Sequence, residues 1–169
     1  FYKISIIMIL FIQTFRFAAE PFFFSQEKEH DSRKIYADVL KYFSILASLI
    51  FLVVMLYIDA VKHFVGSSFH DERGIEIVPI LLMANLFLGI YYNLSIWYKL
   101  TEKTRYGAML AIFGALITLG LNIFLIPKIG FIGSAWATFG CYFSMMLASF
   151  FIGKKHYAIP YDLKRVFIY

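Results

Sequence analysis

From Ile4 to Phe24 the chain is almost continuously apolar, yet it carries an arginine and a glutamate. As an α-helix this stretch would be roughly 31 Å long at about 1.5 Å per residue, enough to cross the hydrocarbon core of a bilayer. Within it lies Phe15-Arg16-Phe17-Ala18-Ala19-Glu20-Pro21. Arg16 and Glu20 are four apart and share a helix face, with Gln13 a turn earlier on the same side. A charge at bilayer depth costs at least about 2.5–3.5 kcal/mol on insertion scales. The pair is therefore expected to face protein or water rather than lipid. Pro21 removes a backbone donor just after Glu20, and a kink is expected there.

The rest of the chain repeats this grease. Of 169 residues, 61% are hydrophobic, 20% aromatic and 16% charged. A soluble domain would have about 45–50% apolar and about 25% charged residues. A soluble helical bundle also breaks its apolar runs every turn with a polar face, which this chain does not do. The expected class is all-α: a polytopic transmembrane bundle forming a single transmembrane region over residues 1–169. The net charge of +5 is spread among loops and does not indicate nucleic-acid binding. The single cysteine, Cys141, excludes a disulfide framework within the chain and reads as a small buried residue. The chain starts at Phe1, has no cleavable signal pattern, and ends on the apolar Val166-Phe167-Ile168-Tyr169. An internal fragment of a longer protein is expected, with a further span starting at about 166–169.

Five spans are expected, at about 4–24, 36–58, 76–98, 105–126 and 131–152. A charged loop covers 26–34, and the longest loop runs from Asp59 to Gly74 with a short amphipathic turn around Val61 to Val65. Pro79 falls in the first turn of the third helix, where proline is tolerated. Pro127-Lys128-Ile129-Gly130 reads as a tight hairpin, and Gly153 to Arg165 as a basic, polar tail. Counting Lys and Arg on alternate sides gives eleven against four, with Arg16 inside the membrane making up the total of 16. Positive charge accumulates on the cytoplasmic side, so loops 25–35 and 99–105 and the C-terminal tail are expected there.

The fourth and fifth helices carry small residues four apart: Gly107, Ala111 and Ala115 on one, Gly133, Ala137 and Cys141 on the other, with Gly130, Ser134 and Thr138 alongside. Such stripes let helix backbones approach closely in lipid. Trp97 and Tyr98, at a boundary, read as interfacial anchors.

Arg16 and Glu20 admit two readings. One is a structural ion pair that fixes helix packing. The other is a wet cavity in which Arg16 meets an anionic substrate while Glu20 takes up protons or tunes Arg16, an intramembrane charge being a functional-site hypothesis by default. Asn85 and Asn93 in the third helix, and Thr118 and Asn122 in the fourth, are secondary candidates. For the asparagines the plainer reading is a bond across to another helix. The histidines, all in loops, lack metal-ligand spacing, so neither a metal nor a cofactor is expected. No nucleophile elbow, phosphate loop or dinucleotide turn is present, and no enzyme activity is expected.

Three segments carry a family resemblance. Leu121 to Thr138 reads LN-x-x-LIP-x-x-G-x-x-G-S-A-x-AT, which resembles a hairpin of the multidrug/oligosaccharidyl-lipid/polysaccharide exporter superfamily. Phe15 to Phe24, FRFAAEPFFF, and Asn93 to Thr104, NLS-x-WYKLT-x-KT, resemble segments of its bacterial polysaccharide flippase branch. The likeness covers nearly the whole chain. It implies two pseudosymmetric helical lobes around a central cavity, with these five helices in the second lobe and the N-terminal lobe outside the chain. It also implies transport of a lipid-linked oligosaccharide, on an undecaprenyl pyrophosphate carrier, across the bacterial inner membrane for O-antigen or exopolysaccharide assembly. The partners would be that substrate, membrane lipids and a coupling proton or sodium ion. The rivals are a cation-coupled multidrug antiporter of the same superfamily, and a membrane polymerase or ligase acting on the same sugars. The short outside loop speaks against the latter.

Overall fold

The computed structural model describes residues 2–26, 31–58 and 72–156, and among them every regular element is a helix. α1 spans Tyr2–Ser25 and α2 Ser32–Leu56. α3 spans Glu72–Leu94 and is followed directly by the short α4, Ile96–Leu100. α5 spans Arg105–Ile129 and α6 Phe131–His156. Among the described residues five stretches are long and apolar enough to cross a membrane: Ile6–Ser25, Ser32–Leu56, Glu76–Leu100, Arg105–Ile129 and Phe131–Lys155. The chain is thus an all-α, multi-pass membrane bundle.

α3 is the hub. It packs against α1, α2 and α6, and half of its span is buried. α5 is the periphery: only 11% of its span is buried, and it packs on α6. Its outer face offers Met109, Ile112, Leu116, Leu119 and Ile123 to the surroundings. In water that face would be untenable, whereas among lipid tails it costs nothing. One core layer joins Met8 and Ile12 of α1 to Phe43 and Ala47 of α2 and Leu82 and Leu86 of α3. Phe43 lies between Phe11 and Phe15, at ring-centroid distances of 5.7 Å and 4.6 Å. A second layer joins Tyr91, Trp97 and Tyr98 to Leu110 of α5 and Met146 of α6.

Several expectations need correction. The helices run further than the apolar blocks. α2 begins at Ser32, α3 begins at Glu72, and α6 continues through Gly153 to His156. Polar residues at the ends of a span extend a helix as readily as apolar ones, so hydropathy underestimates length. α5 likewise passes through Pro127 to Ile129, and the turn is made at Gly130 rather than by the four-residue hairpin. Pro127 sits in the last turn, where its missing N–H deprives only the Ile123 carbonyl of a partner. Gly130 adopts φ 62° and ψ −141°, a backbone open essentially to glycine alone. Pro21 lies inside α1, which continues to Ser25 in keeping with the expected span.

Trp97 is 1% exposed and Tyr98 7%, so both are core and neither anchors an interface. Gly153 of α6 makes room for the indole: a Cβ there would lie 2.9 Å from Trp97 Nε1. The α6 stripe Gly133, Ala137 and Cys141 is buried as expected. On α5, however, Ala111 and Ala115 are exposed, and the buried ridge is Leu110 and Gly114. Asp59 to Asp71, with the proposed turn near Val61, and the apolar run at 166–169 lie outside the described residues.

Candidate functional site

The charged pair of α1 faces the hub. Arg16 Nε donates to Glu20 Oε1 at 3.1 Å, the i to i+4 contact that the helix makes available. The same Glu20 oxygen accepts from Lys99 Nζ of α4 at 2.5 Å. Two cations therefore share one carboxylate oxygen, and the cluster carries a net positive charge. All three side chains are about one-third exposed: 33% for Arg16 and Glu20, 29% for Lys99. The Arg16 guanidinium also lies over the Tyr92 ring, 4.9 Å from its centroid. Such a contact contributes about 0.5–2 kcal/mol depending on how dry it is. Among the described residues the two terminal nitrogens of Arg16 and Oε2 of Glu20 make no hydrogen bond.

Local sequence explains this meeting. Tyr92, Ile96 and Lys99 follow the i, i+4, i+7 pattern and share one face. The chain turns slightly at Ser95, whose hydroxyl donates to the Tyr92 carbonyl at 2.7 Å and whose N–H is shared between Tyr91 and Tyr92 carbonyls. A serine bonding back to the preceding turn in this way loosens the helical ladder, which separates α3 from α4 without breaking the span. The far end of α1 is tied down as well: the buried Tyr36 hydroxyl of α2 donates to the Phe23 carbonyl at 3.0 Å.

Behind the charges lies a cleft lined by Ile12, Phe15, Ala19 and Phe23 of α1, Phe43 of α2, and Gly89, Tyr92, Asn93 and Ile96, with Arg16 and Glu20 at its polar edge. Gly89 lets α3 approach this closely: a Cβ there would collide with the Phe43 ring and lie 3.2 Å from Ile12 Cγ1. The cleft has room for about one water molecule. This cleft is therefore too small to hold a sugar. A cavity for one needs a further wall.

Of the candidates read from the sequence, Arg16, Glu20 and Asn93 come together here. Asn93 Nδ2 donates to the Gly89 carbonyl at 3.0 Å, while its buried Oδ1 has no partner. Gln13 is half-buried on α1 and does not line the cleft. Asn85 is buried in α3, two turns before Asn93. Thr118 and Asn122 belong to α5, away from the cleft: Thr118 donates to the Gly114 carbonyl at 2.9 Å and Asn122 to the Thr118 carbonyl at 2.8 Å. Lys99 and Tyr92 are the participants that the sequence reading missed. From the sequence Lys99 reads as a loop residue, and its spacing from Tyr92 is the available signal.

Arg16 lies nine residues before the end of α1, about 13 Å along the axis, and Glu20 about 7.5 Å. Arg16 thus lies at the middle of the Ile6–Ser25 span, and Glu20 in the half that leads toward the 26–34 segment. Among the described residues no group of three His, Cys, Asp or Glu could hold a metal ion. No family model, curated protein or solved structure matches the chain.

Proposed function

We propose that the chain forms part of the second lobe of an exporter that moves lipid-linked oligosaccharides across the bacterial inner membrane. The observation that carries this reading is the partly buried cluster of Arg16, Glu20 and Lys99, with more positive than negative charge and with guanidinium nitrogens left over. An unpaired excess of positive charge within a span is expensive and needs a use. A pyrophosphate or acidic sugar is a suitable counterpart, since guanidinium meets phosphate in a two-pronged geometry. The three motif resemblances support the same class, and by the Lys and Arg asymmetry the Lys99 end is expected in the cytoplasm. In this reading Glu20 holds the two cations in place until substrate arrives. The sugar head is accommodated between this lobe and its counterpart, and rocking of the lobes exposes it alternately to the two sides.

The test is made in the full-length protein. Arg16→Ala should abolish surface polysaccharide while the protein still reaches the membrane. Normal polysaccharide with this variant would reject the role. Deletion that changes drug sensitivity and leaves surface glycans intact would favour the antiporter instead.

A further inference from the structure

We infer that the end of the bundle where α5 begins and α6 finishes binds the headgroup of an anionic phospholipid. The first observation is a gathering of cations there. Trp97 of α4 draws the two helix ends together: its ring lies 5.3 Å from that of Tyr106, and a Cβ on Gly153 would lie 2.9 Å from its Nε1. Arg105 is next to Tyr106 in the chain and Lys154 next to Gly153, so each cation is one residue from a contact with the same buried indole. Lys103 and Lys155 extend the group, and all four are exposed. Among the described residues none of the four makes a salt bridge or a side-chain hydrogen bond. Glu102, in the same turn, offsets one charge and leaves an excess of three. Helix chemistry accounts for only half of the group. A cation suits the last turn of α6, where Lys154 and Lys155 stand, but the start of α5 favours an acid and has Lys103 and Arg105 instead.

The second observation is the level at which the group stands. Arg105 opens the Arg105–Ile129 span and Lys155 closes the Phe131–Lys155 span, which puts the cations among lipid headgroups. One to two helical turns further into the membrane the surface is bare hydrocarbon: Met109 and Ile112 of α5 are 64% and 62% exposed, and Phe151 of α6 is 64% exposed. A cationic rim above an apolar wall fits a molecule with a phosphate at one end and acyl chains beneath it. A soluble anion would use the rim alone, and an acidic protein or nucleic acid would leave the wall uncovered. Membrane orientation asks only that cations lie on one side and does not require them to collect around one indole. This site is independent of the transport reading.

The test uses the full-length protein in an uncharged detergent, titrated with phosphatidylglycerol, with phosphatidylcholine of the same acyl chains, or with inorganic phosphate. Phosphatidylglycerol should raise the unfolding temperature clearly more than either of the others. Arg105→Gln combined with Lys154→Gln should increase the phosphatidylglycerol concentration needed for half of that rise by about tenfold. Arg105→Lys combined with Lys154→Arg keeps both charges and should keep the affinity. Lys34→Gln combined with Lys128→Gln removes the same charge from α2 and from the opposite end of α5, and should change the affinity by less than about twofold. Equal protection by the two lipids, or by inorganic phosphate, would overturn lipid recognition. Equal weakening by the two glutamine pairs would show an effect of bulk charge and overturn the site.

Discussion

Glu20 is the residue on which the cluster turns. One of its oxygens accepts from both Arg16 and Lys99, so removing the carboxylate does more than delete an ion pair. It leaves two cations facing each other. Because the side chains are one-third exposed, the Lys99 contact itself is worth only about 1 kcal/mol or less. Glu20→Gln should therefore cost more than Lys99→Met, on the order of 1–2 kcal/mol, and combining the two should recover part of the loss. Thermal unfolding in detergent micelles measures all three. A double variant that simply adds the two losses would mean that the cations do not repel in the absence of Glu20. Half of this arrangement was readable beforehand, since spacing alone puts Arg16 and Glu20 on one face. The other half was not, because Lys99 belongs to a different span and its partner is 79 positions away. A hydropathy reading assigns a lysine at a span's end to water, and only packing shows which way its long stem bends.

At the scale of elements, glycine placement decides how the α5 and α6 hairpin closes. A Cβ on Gly133 would lie 2.7 Å from the carbonyl carbon of Leu125, a backbone atom that cannot step aside. Gly133→Ala should destabilise by about 1–3 kcal/mol, as overpacking does. A Cβ on Gly114 would meet the flexible end of Met145, and the cost should be smaller. Around Gly120 nothing lies within 4 Å, so Gly120→Ala should be neutral or gain up to about 1 kcal/mol of helix propensity. Unfolding midpoints of the three variants should rank in that order, and equal midpoints would remove the close seam from the account. The sequence shows why only one of the two expected stripes lies in this seam. Both helices carry small residues four apart, and spacing cannot tell a stripe that faces a partner from one that faces lipid. On α6 the stripe packs: Gly133 and Cys141 meet α5, and Ala137 is fully buried. On α5 the stripe of Ala111 and Ala115 turns outward, and Gly114 takes the contact.

For the whole molecule, the number of spans follows from the length of the apolar blocks, and the described residues hold the same five. Sidedness can be measured directly. With Cys141 buried and unreactive, single cysteines at the exposed positions Arg33, Glu102 and Lys128 can be labelled from either side of the membrane. Arg33→Cys and Glu102→Cys should label from the same side and Lys128→Cys from the opposite one. Labelling of Glu102→Cys and Lys128→Cys from one side would remove α5 from the membrane. Which elements pack together was not legible, because α1, α2, α3 and α6 are similarly greasy and only shape distinguishes their partners. Gly130 has a consequence at this scale. A one-residue elbow joins two long helices that touch backbone to backbone near the bend, and this leaves neither helix any slack to slide along the other. They would turn as one stiff leaf, like a page bound at its edge, so any rearrangement of the bundle has to swing that leaf on the seam it shares with α3.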